Sequence, residues 1–152
     1  MAYFTSVTGD IGIDKMGVCQ PHEHVYIVET PALTTNSLIR LCNLEASIRE
    51  LKLYREAGGQ TLVDANPLAT GRDALALRTA SRVSGVQIIA TTGYHIPSFY
   101  QKSHWIWTMD EEELTRLFTS ELVDGMYQGG HYEVPEHQTG IRAGLVKAML
   151  TE

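Results

Sequence analysis

The chain has 152 residues, 43% of them hydrophobic, with two cysteines and a formal net charge of −6. That is enough chain for one domain with a real core. Its twelve Lys and Arg residues are scattered, which argues against nucleic-acid binding, because phosphate contacts need clustered cations. No apolar run reaches the length of about eighteen residues that a membrane helix requires. The opening MAYFTSVTGDIGIDKMG lacks the basic and apolar regions of a secretory signal. Cys19 and Cys42 have no CxxC spacing, which fits a reducing, cytoplasmic compartment.

In chain order, residues 3–18 are β-branched and aromatic, broken at Gly9-Asp10 and Gly17, and predict a small hairpin. Gly17 to Ile27 reads as a strand with a polar insert, Gln20-Pro21-His22-Glu23-His24. Pro21 cannot donate to a central ladder, so this strand is expected to be irregular there. Residues 43–57 follow a helical period through Leu44, Ile48 and Leu51, with Asn43 as N-cap and Gly58-Gly59 as the stop. Gln60 to Ala65 is a short strand. Thr70 and Asp73 have capping-box spacing for a helix that ends near Ser84-Gly85.

Val86 to Thr92 is a strand of apolar and β-branched residues, as expected where both sheet faces are covered. Thr108 and Glu111 repeat the capping spacing, and Glu111 to Glu113 fall where the helix dipole favours negative charge. Leu114, Leu117, Phe118 and Leu122 then predict a buried stripe on a helix that ends by Gly129-Gly130. After a polar loop around His131 to Gly140, Arg142 to Leu150 is the last strand. No repeat or linker divides the chain, so residues 1–152 are read as one domain.

This alternation predicts right-handed crossovers and a parallel sheet with outer helices. An open doubly wound sheet and part of a β/α barrel both satisfy it. A complete barrel needs roughly 250 residues, so on the second reading the chain holds about half of one.

Two features carry chemistry. In a strand, residues i and i+2 point to one face, so His22 and His24 project together while Glu23 points away. Two neutral imidazoles side by side suit a metal such as zinc; paired core or surface histidines have the same spacing. Lys147 lies inside the strand Leu145-Val146-Lys147-Ala148-Met149. Burial there would favour the neutral amine, which can react with carbon dioxide to give a carbamate able to bridge two cations; the alternative is a lysine that snorkels to the strand end.

The chain resembles the phosphotriesterase-like family of the amidohydrolase superfamily. The resemblance is carried by Gly17-Val18 through Pro21-His22-Glu23-His24, Gly59-Gln60-Thr61-Leu62-Val63-Asp64, Gly71-Arg72-Asp73, Ala90-Thr91-Thr92-Gly93-Tyr94, and Gly140-Ile141-Arg142-Ala143-Gly144-Leu145-Val146-Lys147. It implies the N-terminal half of a (β/α)8 TIM barrel, its first four β/α strands, preceded by a short β-hairpin. It also implies two divalent metal ions, most often zinc, with His22 and His24 on the more buried one and Lys147, as N6-carboxylysine, bridging both. A hydroxide shared by the metals would attack the substrate.

Tyr94 and His95 fall at the family's aromatic pocket position and are assigned to the substrate, although histidine is not the usual type there. Arg72-Asp73 is read as capping and packing, the Tyr100–Trp107 loop with His104 as packing or a cover for the pocket mouth, and Cys19 and Met149 as core. His131 and His137 are not assigned as ligands.

The resemblance makes the expected activity hydrolysis of a small-molecule ester, a lactone or an organophosphate triester, with no nucleic-acid or membrane partner. The alternatives are another amidohydrolase acting on cyclic amides or phosphodiesters, and a non-catalytic α/β metal-binding module. The family draws two further histidines and a catalytic aspartate from later strands, beyond Glu152. The 152 residues are therefore expected to lack the C-terminal half of the barrel and to be inactive alone, with two open strand edges that permit a homodimer.

Overall fold

The structure, a computed structural model, describes residues 2–30, 33 and 37–149. The hairpin forms as expected, with β1 (Tyr3–Ser6) antiparallel to β2 (Gly9–Gly12). It folds back on the rest of the chain: the Val7 N–H donates to the Ile88 carbonyl at 2.9 Å, and Val7 is 2% exposed in the main core.

The remaining strands are β3 (Val18–Glu23), β4 (Gly59–Asp64), β5 (Gln87–Tyr94) and β6 (Leu145–Ala148). They make one parallel sheet in the order β3-β4-β5-β6. That order decides between the two architectures. A doubly wound sheet reverses the direction in which strands are added; here each strand joins the same side, as in a barrel being closed. Between the strands lie α1 (Leu44–Glu56), α2 (Ala74–Ser84) and α3 (Glu111–Val123).

The β3–β4 register shifts between Val18 and Cys19 and again between Gln20 and Glu23, the irregularity that Pro21 demands. The strand stops at Glu23 rather than Ile27, where the chain turns to hydrogen-bond loops: the Ile27 N–H reaches Leu41 and the Val28 N–H reaches Gly71. At the other edge β6 is likewise shorter than Arg142–Leu150, and Leu150 lies outside the described residues.

Asn43 caps α1, its side chain accepting from the Ala46 N–H at 3.0 Å. The other two caps differ from the sequence expectation. Asp73, not Thr70, caps α2 by accepting from the Ala76 N–H at 2.9 Å, while the buried Thr70 hydroxyl turns to the Pro67 carbonyl. Asp110 with Glu113 forms the reciprocal box on α3; Thr108 instead donates to Trp105 and closes a short 3-10 turn. In both cases a nearer aspartate, which accepts more strongly than a hydroxyl, takes the cap. Helix α3 ends at Val123, before the Gly129-Gly130 stop read from the sequence, because Gly125 turns the chain at φ 137°.

The main core gathers Leu51, Leu62, Leu77, Val86, Ile88 and Met126 under the sheet. A second cluster joins Leu68, Ala69, Tyr100, Trp105 and Ile106 beneath the C-terminal end of β5. So the Tyr100–Trp107 loop does pack. The expected stripe on α3 is only half-buried; its one fully buried side chain is Glu121, paired with Arg72. Cys19 is partly exposed and Met149 is 40% exposed, so neither is core.

Candidate active site at the strand ends

The C-terminal ends of parallel strands converge on one face, the place where β/α folds collect chemistry. On this face β3 carries His22 and leads into His24, β4 ends in Asp64, β5 ends in Tyr94 and leads into His95, and β6 carries Lys147. The i, i+2 spacing survives the bulge: the His22 and His24 ring centroids are 5.5 Å apart, edge to face. His22 is exposed and His24 half-buried.

Lys147 reaches across β5 to the end of β4 and donates from Nζ to the Ala65 carbonyl at 2.7 Å. Its neighbour across the ladder is Gly93. A side chain there would collide with the Lys147 backbone, since an added Cβ would meet the Lys147 carbonyl oxygen at 1.9 Å, and the φ of +100° also demands glycine.

Burial holds the His24 pKa down to about 4, helped by the positive charges of Lys147 and His22. His95 is likewise held at about 4, by burial first and then by Lys147, His24 and His22. Burial also lowers the Lys147 amine, against the opposing pull of Asp64. These mutual effects join groups from the ends of four strands into one electrostatic unit.

His95 is fixed by its neighbours. Its ring stacks on Phe99 at 3.9 Å, Nδ1 accepts from the Ile96 N–H at 2.9 Å, and its own N–H donates to the Tyr100 hydroxyl at 2.7 Å. Because Nδ1 is an acceptor, a neutral His95 carries its proton on Nε2. The Tyr94 ring lies 6.2 Å from Phe118 of α3. It lines a cavity of about 330 Å³ with Tyr100, Ile106, Trp107, Met109 and Leu114. His104 belongs to the packed loop, between Tyr100 and Trp105.

Sequence reasoning missed Asp64. It is completely buried, and its carboxylate accepts the Val25 N–H at 2.8 Å and the Asn66 N–H at 3.1 Å. Burial pushes its pKa up to about 6. The available signal was an acidic residue closing an apolar strand, Leu62-Val63-Asp64.

Among the described residues, no three His, Cys, Asp or Glu side chains come together to hold a metal ion. The nitrogen donors nevertheless fit part of such a centre. His24 favours its neutral form, Lys147 is displaced toward its neutral amine, and the His24 Nδ1 is buried with no hydrogen-bond partner among the described residues.

Opposing pKa shifts make the metal-free fold sensitive to acid. A half-buried neutral histidine with its folded pKa lowered contributes stability that is present above pH 6.5 and lost as pH falls toward about 4. Asp64, raised from 3.8 to about 6, acts oppositely over that window. With His24 and His95 against one aspartate, the urea midpoint is expected to fall between pH 7 and 4.5. His95→Gln should flatten that fall, and an unchanged profile in this variant would contradict the assignment.

The sequence matches the phosphotriesterase family over residues 2–151. It is 31% identical over 147 residues to the phospho-furanose lactonase of Mycoplasmopsis synoviae, covering 94% of this chain and 42% of that protein. It is 30% identical over 117 residues to the N-acetyltaurine hydrolase of Danio rerio, covering 77% of this chain and 33% of the relative. The fold superposes on the crystal structure of an amidohydrolase from Mycoplasma synoviae with a TM-score of 0.85 at 28% identity, covering 96% of this chain and 42% of that one. The chain thus spans under half the length of the relatives it matches. No helix among the described residues is long and apolar enough to cross a membrane. A parallel half-barrel, its charged strand ends and a match along nearly the whole sequence agree: this chain belongs to the phosphotriesterase family.

Proposed function

We propose that these 152 residues supply the N-terminal half of the active site of a metal-dependent ester hydrolase acting on lactones or organophosphate triesters. In this reading His22 and His24 hold one divalent ion, zinc by the chemistry of the donor set, and Lys147 as N6-carboxylysine bridges it to a second. The observation that carries it is the meeting of the two imidazoles, 5.5 Å apart, with Lys147 and His95 at the same strand ends. When bound, two such cations would acidify a water and polarise the substrate's carbonyl or phosphoryl group.

The chain's own residues prepare that chemistry. Neutral imidazole is the ligand form of histidine, and burial maintains it at His24. The lowered Lys147 amine is the form that adds to carbon dioxide: a nitrogen–carbon bond forms, the nitrogen loses a proton, and a carbamate anion results. His95, with its proton on Nε2, is a hydrogen-bond donor for a substrate oxygen. Tyr94 contributes the wall of the apolar cavity behind it. The sheet's outer strands, β3 and β6, have no strand partner on their far sides among the described residues, and a homodimer would form there. No nucleic-acid or membrane partner is part of this reading.

A second reading, amide hydrolysis, is favoured by the similarity to the N-acetyltaurine hydrolase. The remaining alternative is a metal-binding module without catalysis. One experiment addresses all three: assay zinc-supplied protein on γ-lactones, a nitrophenyl phosphotriester and an N-acyl amide. The assay uses the 152 residues alone and joined to the C-terminal part of the Mycoplasmopsis synoviae lactonase. No turnover alone and ester turnover when joined is expected. Clear turnover by the 152 residues alone would sink the half-site reading. Turnover of the amide only would favour the second reading, and one bound ion with no turnover in a folded, joined protein would favour the module.

A further inference from the structure

We propose that Asp64 is a positioning residue for the metal-binding face, one carboxylate that sets where His24 and Lys147 stand relative to each other. The inference rests on the metal-site reading above and extends it to a residue behind the ligands. Asp64 ends β4 opposite Glu23 of β3 and is 0% exposed. Its Oδ2 accepts the N–H of Val25, the residue directly after His24, at 2.8 Å. Its Oδ1 accepts the N–H of Asn66 at 3.1 Å. Asn66 directly follows Ala65, whose carbonyl receives the Lys147 Nζ at 2.7 Å. The Ala65 N–H in turn donates to the carbonyl of Glu23, directly before His24, at 2.8 Å. The Asp64 side chain thereby ties the peptide that follows His24 to the peptide whose carbonyl anchors Lys147, while the Ala65 N–H holds the peptide before His24.

The chemistry requires a carboxylate. Two converging N–H donors need two acceptor oxygens, and an amide supplies one oxygen while turning its NH2 group against the other donor. Burying a carboxylate is costly unless its charge is balanced. The hydrogen bonds made to it come from backbone amides, none from a cationic side chain among the described residues. Its charge is opposed through space by the buried Arg72 guanidinium and, from the proposed metal-binding face, by Lys147. Outer partners that hold ligands in this way cost roughly 10- to 100-fold in metal affinity when removed.

The test is a cobalt(II) titration of the chain, following the visible absorption of nitrogen-ligated cobalt, with urea unfolding measured in parallel. The series is the unsubstituted chain, Asp64→Asn, Thr91→Val and His22→Ala/His24→Ala. Thr91→Val is the control for stability alone. It removes the Thr91 Oγ1 hydrogen bond to the Asp64 carbonyl at 3.1 Å and leaves the carboxylate in place. Asp64→Asn is expected to bind cobalt about 10- to 100-fold more weakly and with a changed spectrum, while Thr91→Val binds as the unsubstituted chain does.

Equal affinity and an unchanged spectrum in Asp64→Asn would overturn the proposal, as would an equal loss in Thr91→Val. If the unsubstituted chain and His22→Ala/His24→Ala bind cobalt alike, the metal-site reading itself has failed and the role of Asp64 fails with it. Should Asp64→Asn not fold, Asp64→Ser replaces it, with a small hydroxyl that accepts one of the two amides. Loss of the fold in both variants would make Asp64 a folding residue and refute a positioning role.

Discussion

Replacing Arg72 by methionine is expected to destabilise the fold by about 3–5 kcal/mol, because it strands a buried carboxylate. The Arg72 and Glu121 side chains are 1% and 0% exposed. The guanidinium holds Glu121 at both ends, Nη1 to Oε2 at 2.8 Å and Nη2 to Oε1 at 2.5 Å. It also donates to the Thr91 carbonyl at 2.9 Å and the Tyr127 carbonyl at 3.3 Å, and Glu121 Oε1 accepts from the Tyr127 N–H at 2.8 Å. One pair therefore fastens the lead-in to α2, strand β5, helix α3 and the turn that follows it.

Methionine fills the space of the arginine stem and leaves Glu121 without a counter-charge in an apolar surrounding. The double variant Arg72→Met/Glu121→Met removes both charges and should recover much of the loss. Urea unfolding with the slope compared across variants measures both effects. A cost below about 1 kcal/mol for the single variant, the range of an exposed pair, would show that the pair carries no such weight.

The second large effect is functional. In the proposed site His24→Ala should lower zinc affinity by more than the roughly 100-fold that marks the upper range for outer-shell partners. It should also remove ester turnover from the completed barrel. The same change should leave the metal-free fold about as stable as before. His24 makes no side-chain hydrogen bond through its buried Nδ1 among the described residues, so its removal relieves an unmet desolvation cost while it forfeits ring packing. Function and stability thus separate at this position, as expected where a residue is kept for a ligand rather than for the core. A core histidine would behave in the opposite way, with a large stability loss and unchanged zinc affinity. That result in calorimetric titration would refute the ligand assignment at His24.

Much of this protein was legible in one dimension. The helices around Leu44, Ile48 and Leu51 and after Asp110, the β-branched run at Val86, and the His22–His24 pair follow from periods of 3.6 and 2 that act within a few residues. The motifs spread along the sequence were enough to name the family and to expect half a barrel. The caps were misplaced by two or three residues because several acceptors compete locally, and the nearer aspartates won.

Tertiary structure decided what depends on distant partners. The side on which each strand adds, which separates a barrel from an open sheet, is a property of packing. Glu121 lies 49 residues from Arg72, and nothing near either one announces the pair. Lys147 could be suspected of burial from its strand, but its bond to Ala65 spans 82 residues. Asp64 looked like one residue of the short strand Gln60 to Ala65 until folding brought Val25 and Asn66 to its two oxygens. Local hydrogen-bonding and hydrophobic periods leave a trace in sequence; electrostatic partners chosen across the core do not, because loop closure rather than neighbourhood brings them together.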